Sequence, residues 1–122
     1  MKNNTYENDV RILGGKFKGK LLPVLDVDGL RPTPSRVRET IFSWIRNSID
    51  NSNVLDLFAG SGALGLEAYS RGASNITLVE LDKDNSANLK EIAKSMSKED
   101  IHVINDDALH FLDNTNAVFD IV

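Results

Sequence analysis

The sequence predicts an α/β fold: a parallel sheet with helices on both faces, preceded by a β-hairpin and a helix. Three observations carry this. From residue 53 onward, short apolar runs alternate with segments of helical period. A glycine turn, Gly60-Ser61-Gly62, joins one of these runs to the helix after it. Residues 10–25 differ, with period-two alternation around Gly14, Gly15 and Gly19. At 122 residues, 41% hydrophobic and 26% charged, the chain has the composition of one globular domain with a modest core.

Residues 1–9 are polar and expected to fray. Val10, Ile12, Leu21, Pro23 and Leu25 alternate with polar or basic residues and predict two short strands. Thr33 suits a helix N-cap with Pro34 at the first helical position, and Val37, Ile41, Trp44, Ile45 and Ile49 follow at helical spacing as a core face. Strands are expected at 54–57, 76–79, 101–104 and 118–122, and helices at 63–71 (ended by Gly72), 85–96 and 108–112. Repeats of this length imply right-handed crossovers. No internal repeat or low-complexity linker is present.

No apolar stretch approaches the roughly 20 residues that span a bilayer, and the first thirty residues lack the apolar centre of a secretory signal. A soluble, cytoplasmic protein with no membrane partner is the expectation. Without cysteines there is no disulfide, thiolate metal site or cysteine nucleophile, and two isolated histidines, His102 and His110, cannot build a histidine-rich metal centre. No metal is expected.

The net charge of -4 hides an asymmetry, since residues 1–38 carry +4 and the rest -8. A basic arm on an acidic body can attract a polyanion locally, because screening confines each patch to about 8 to 10 Å. The same lysines could simply blunt a hairpin edge. Arg36 and Arg38 fall in a helix first turn, where the dipole disfavours cations, which suggests a polyanionic ligand.

The strongest chemical signal is VLDLFAGSGALG, an apolar strand, a tight turn and a helix. Gly60, Gly62 and Gly65 satisfy G-x-G-x-x-G, and Glu80 ends the next strand 20 residues after Gly60, where a carboxylate bonds ribose hydroxyls. A nucleoside cofactor follows. A dinucleotide wants its pyrophosphate on bare helix N–H groups, whereas Asp56 places a carboxylate four positions ahead of Gly60. That charge suits the amino group of a methionine moiety and repels a pyrophosphate, so S-adenosylmethionine fits better than NAD.

The segments VRILGGKFKGKLLPV, LRPTPSRVRETIFSWI, VLDLFAGSGALGLEAYSRGAS and LVELD together resemble the bacterial methyltransferases that modify the exocyclic N2 of a guanine in small-subunit (16S) ribosomal RNA. The resemblance runs from about Val10 to the last residue. It implies a Rossmann-like class I methyltransferase sheet, here partial with about four parallel strands, and a division into a basic, RNA-facing part (1–52) and a cofactor-binding half (53–122). It also implies S-adenosylmethionine as cofactor, with Asp56, Phe58, Ala59, Gly60 and Gly62 around its methionine part and Glu80 on the ribose. Leu81 would contact the adenine face, and Asp107 with the Ala108 amide would address its edge. Ribosomal RNA or the small ribosomal particle would be met by Arg11, Lys16, Lys18, Lys20, Arg31, Arg36 and Arg38 through phosphates and stacking.

One departure stands out. In that family the strand matching Phe119-Asp120-Ile121-Val122 leads within a few residues into an Asp/Asn-Pro-Pro-Phe/Tyr motif that holds the target amine, and these 122 residues hold no Pro-Pro pair. The expectation is therefore a truncated chain that binds cofactor without transferring its methyl group, with no catalytic residue named. Strand 118–122, flanked on one side only, is expected to self-associate or fray. An NAD(P)-dependent oxidoreductase, on the literal glycine spacing, and a non-catalytic RNA-binding module are the rival readings.

Four further residue groups invite functional readings, and three of them have two. Trp44 and Phe42 could stack on bases, but their spacing favours core packing. His110 reads as solvated or as a ligand contact. Asp106 and Asp107 form an acid pair where an aspartate also caps. Asp82 and Asp84 favour the start of the following helix.

Overall fold

The glycine-centred alternation forms a hairpin. The structure, a computed structural model, describes residues 6–25 and 34–122. In it β1 (Tyr6–Arg11) pairs antiparallel with β2 (Leu21–Leu25), Val10 opposite Leu22. Val10, Ile12, Leu22 and Val24 are buried while Arg11 and Leu21 are exposed, the segregation that a one-sided hairpin requires. Its connecting loop lies against the protein: Lys16 N donates to Ser70 O at 2.7 Å, and Phe17 N to Ser70 Oγ at 2.8 Å. Gly15, with φ +82, is the closest approach, since a Cβ there would meet the Ser70 carbonyl.

Two helices follow, α1 (Ser35–Trp44) and α2 (Arg46–Ile49), separated at Ile45, where φ -101 and ψ 12 depart from helical values. Thr33 and Arg31 lie outside the described residues. Pro34 stands just before the first helical residue, not within the helix, and its carbonyl accepts from Arg38 N at 3.0 Å. The expected core face is corrected. Phe42 and Ile49 are buried and Ile41 and Ile45 partly so, but Trp44 is 80% exposed and Val37 is exposed. The buried stripe instead runs through Arg38, which is 2% exposed. A pattern counted on apolar residues cannot see a charged core position, and the helix is rotated to bury this one.

β3 (Asn53–Asp56), β4 (Asn75–Glu80) and β5 (Ile101–Asn105) form a parallel sheet in the order β3-β4-β5. Val54 pairs with Ile76, and Ile76 with Ile101. Between them run α3 (Ala63–Ser70) and α4 (Lys83–Met96), and α5 (Ala108–Asn114) follows β5. Steps from β3 to β4 to β5 go one way, so right-handed crossovers put α3 and α4 on one face. After α5 the chain returns to the other side of β3.

There the expected fourth strand is reduced to a single parallel bridge, Val54 to Ile121, with Leu55 N donating to Ile121 O at 2.8 Å. The Asn53 amide that a ladder would use instead donates to the Asp120 carboxylate at 2.8 Å. Side-chain capture of that donor interrupts regular pairing. One core cluster includes Val10, Ile12 and Leu22 from the hairpin, Phe42 and Ile49 from the helices, and Val54, Leu66, Ile76, Leu78, Leu89 and Met96 from the remainder. Among the described residues no helix is long and apolar enough to cross a membrane.

Candidate functional site: the glycine loop and its two carboxylates

The strand order reverses between β3 and the bridge at Ile121, and in open parallel sheets ligands bind beyond the strand ends at such a reversal. The glycine loop lies there. Gly60 and Gly62 take φ +54 and +81, values that side chains resist, so the turn itself requires them. Gly65 has a different reason. A Cβ there would meet the Leu78 side chain, so its absence lets α3 lie close on β4.

Asp56 ends β3. Its Oδ1 accepts from Phe58 N at 3.3 Å, and its Oδ2 is buried with no hydrogen-bond partner among the described residues. Burial pushes the Asp56 carboxyl above its usual 3.8; the amides of Phe58 and Gly65 partly offset this, and the negative Glu80 adds a smaller upward push. An acid raised in this way is worth less to the fold when ionised, so the folded chain gains stability as pH falls through the raised value. A bound cation would reverse that penalty.

Glu80 ends β4 and grips the loop: Oε1 accepts from Gly60 N at 3.0 Å and Oε2 from Asp82 N at 3.0 Å. Neither Asp56 nor Glu80 has an ion-pair partner among the described residues. Register sets Glu80 opposite Asn105, whose Nδ2 donates to the Glu80 and Leu81 carbonyls at 2.9 and 3.0 Å. That brings Leu81, Asp107 and Ala108 to adjacent strand ends. Asp107 caps α5, accepting from His110 N at 3.1 Å, and Asp106 pairs with His110 Nδ1 at 2.8 Å. Ala59 is buried, whereas Phe58, Leu81 and Leu109 are exposed apolar side chains around these strand ends.

The basic residues separate into groups. Lys18 is exposed and Lys20 partly so, and Arg11 donates to Gly19 O at 3.0 Å, beside them. The Lys16 ammonium lies 5.6 Å from the Phe17 ring centre and 5.9 Å from that of Tyr69. Arg36 is exposed on α1. Arg38 is a correction, because its guanidinium bonds Glu67 at 3.1 Å inside the core and presents nothing to a polyanion. Glu67 and Asn85, which hold the hairpin loop and the glycine loop, have no sequence signal of their own; only Asp82, capping α4 at 2.8 Å, hinted at order there.

A family described as conserved hypothetical protein 95 matches residues 10–122. The chain belongs to this family. It is 43% identical over 120 residues to the ribosomal RNA small subunit methyltransferase D of Escherichia coli K12, covering 98% of this chain and 61% of that protein. To the protein of the same name from Haemophilus influenzae it is 47% identical over 108 residues, covering 87% and 56%. Among solved structures, Escherichia coli yhhF, described as a methyltransferase, superposes with TM-score 0.77 at 42% identity, covering 86% of this chain and 56% of that one. The chain thus spans about three fifths of the length of these family members, and it shares their mixed α/β fold.

The Asp106 hydrogen bond raises His110 above its ordinary 6.5, and the same bond holds Asp106 below 3.8. The His110 contribution to stability is complete below its unfolded pKa and is lost as pH rises through the raised value. We expect a proton NMR titration to place His110 above 6.5 and Asp106→Asn to bring it down. An unmoved midpoint in the variant would show that the pair does not form in solution.

Proposed function

We propose that this chain is the cofactor- and RNA-binding part of an S-adenosylmethionine-dependent methyltransferase that acts on the exocyclic N2 of a guanine in small-subunit ribosomal RNA. The observation that carries the reading is the buried, unpartnered Asp56 oxygen beside the glycine loop. A carboxylate in that state calls for a cationic donor, and the ammonium of a methionine moiety is one. Two unpaired carboxylates, Asp56 and Glu80, flank the loop, so a pyrophosphate would meet like charge there, which disfavours NAD(P). A purely RNA-binding module gives Asp56 no role.

The cofactor supplies an electrophilic methyl group on a sulfonium. In this reading Asp56, Phe58, Ala59, Gly60 and Gly62 hold its methionine end. Glu80 has roughly four lone-pair sites and spends two on the Gly60 and Asp82 amides, which leaves acceptors for ribose hydroxyls. Leu81 covers the adenine, and Asp107 with the Ala108 amide addresses its edge. Residues 1–52 face RNA through Arg11, Lys16, Lys18, Lys20 and Arg36, with Arg31 outside the described residues, and residues 53–122 hold the cofactor. Relatives named for small-subunit ribosomal RNA support that substrate, and with it a cytoplasmic place of action. In the resembled family the residues that hold the amine lie beyond the segment these 122 residues match, so methyl transfer is proposed for the whole protein. The exposed Val118 and Val122 beside the bridge at Ile121 support self-association there.

Two measurements test this. Calorimetry with S-adenosylhomocysteine and with methylthioadenosine, which lacks the amino-acid end, separates the two halves of the site. Asp56→Asn should weaken the first ligand about tenfold or more, the loss of a hydrogen bond to a charged group, and leave the second unchanged. Equal affinities for wild type and variant would remove Asp56 from the site. For RNA, Lys18→Gln with Lys20→Gln should lower the salt slope by about 0.7 per lost phosphate contact on a single strand. Light scattering on the same samples reads self-association, and an unaltered slope would make the lysines a solubilising face only.

A further inference from the structure

Both polar groups of Gly60 are bonded by the connection between β4 and α4. Its N–H donates to Glu80 Oε1 at 3.0 Å, and its C=O accepts from Asn85 Nδ2 at 2.6 Å. Two more bonds close a ring: Asp82 N donates to Glu80 Oε2 at 3.0 Å, and Asn85 N to Asp82 Oδ2 at 2.8 Å. Asn85 is 1% exposed, on the same helix as the buried Leu89, and its Oδ1 has no partner among the described residues. Burying an amide with half its capacity unused disfavours folding, so core packing does not account for an asparagine here. The bond to Gly60 does, and it also fixes which amide atom faces the loop, because only nitrogen can donate to a carbonyl.

We infer that Asn85 is a positioning residue for the nucleoside end of the cofactor: by pinning the Gly60 carbonyl it holds the glycine loop at positive φ and, through the ring, fixes the direction of the Glu80 carboxylate. This rests on the reading of the loop as a cofactor site. Glu80 is bonded through both oxygens to backbone amides, one of which belongs to the residue Asn85 holds. Releasing Gly60 frees one oxygen of the group assigned to the ribose, and a donor or acceptor that must reorganise before binding contributes less affinity. The effect therefore falls on the nucleoside half. Asp56 lies outside the ring and acts on the amino-acid half.

Asn85→Leu keeps the shape, removes the donor and removes the unpartnered oxygen. Ser86→Ala is the control, since Ser86 Oγ is also buried without a partner among the described residues. The readouts are affinity for S-adenosylhomocysteine and methylthioadenosine, the thermal midpoint, and amide exchange across residues 60–62, which needs no ligand. The expected result for Asn85→Leu is a loss of about tenfold or more for both ligands alike, the loss of one buried hydrogen bond. Exchange at Gly60 should be faster by a similar factor, with the midpoint little changed, and Ser86→Ala should match wild type in every readout. If leucine prevents folding, Asn85→Asp offers the same shape without a donor toward Gly60. Wild-type exchange and affinity in either folded variant would overturn the inference. A wild-type chain that binds neither ligand would instead defeat the cofactor reading, and exchange at Gly60 alone would then decide whether Asn85 holds the loop.

Discussion

The carboxylate of Glu67, on α3 and 0% exposed, holds together parts of the chain that are far apart in sequence. It accepts from Leu13 N at 2.9 Å and Gly14 N at 3.0 Å in the hairpin, from Arg38 at 3.1 Å on α1, and from Arg71 Nε at 2.7 Å just past its own helix. A buried ion costs several kcal/mol to desolvate, and only a full set of well-placed donors offsets that. Here two cations and two amides supply them. Arg38 in turn donates to Arg11 O at 3.1 Å, and the Arg71 guanidinium lies 5.1 Å from the centre of the Phe42 ring. Leu13, Gly14 and Arg38 all bond this one carboxylate on α3, so the geometry of the hairpin loop is tied to that of α3.

That tie bears on function because of what stands at the other end of α3. The helix starts from Gly62, one turn before Glu67, and the glycine loop precedes it. Its C-terminal end meets the hairpin loop through Ser70, which bonds Lys16, Phe17 and Gly14. A single helix of eight residues therefore has the candidate cofactor loop at one end and the candidate RNA-facing loop at the other. The sheet fixes the rest of the site: parallel pairing in register sets the carboxylates of β3 and β4 and the Asp107 cap of α5 at neighbouring strand ends. Charge in this arrangement is divided, with acidic groups flanking the glycine loop and basic groups on the hairpin.

Much of this was legible in the sequence. The apolar run ending at Asp56, the glycines and Glu80 follow from local rules, since a strand-to-helix turn at positive φ needs glycine wherever it occurs. Elements with strong periodicity were placed within a few residues, as in α4 and β4. The misreadings have physical causes. From sequence Arg38 reads as an RNA contact, because a charged residue is almost never buried unless paired, and the Glu67 it pairs with lies 29 residues away, beyond any local pattern. Trp44 reads as core from its apolar spacing, which does not register the rotation that the buried Arg38 imposes. The 118–122 strand lost its ladder to one aspartate side chain. Asn85 was invisible because the carbonyl it holds belongs to a loop 25 residues earlier.

Glu67→Gln tests the central dependence most directly, because it keeps the side-chain shape and removes the charge that Arg38 and Arg71 compensate. The measurement is amide hydrogen exchange at Leu13 and Gly14 across a urea series. If Glu67 fastens the hairpin to α3, both amides exchange far faster in the variant, and global stability falls by about 3 to 5 kcal/mol, the cost of breaking a buried pair. Protection at Leu13 and Gly14 equal to wild type, with an unchanged unfolding midpoint, would contradict the account and assign the hairpin's attachment to its apolar face alone.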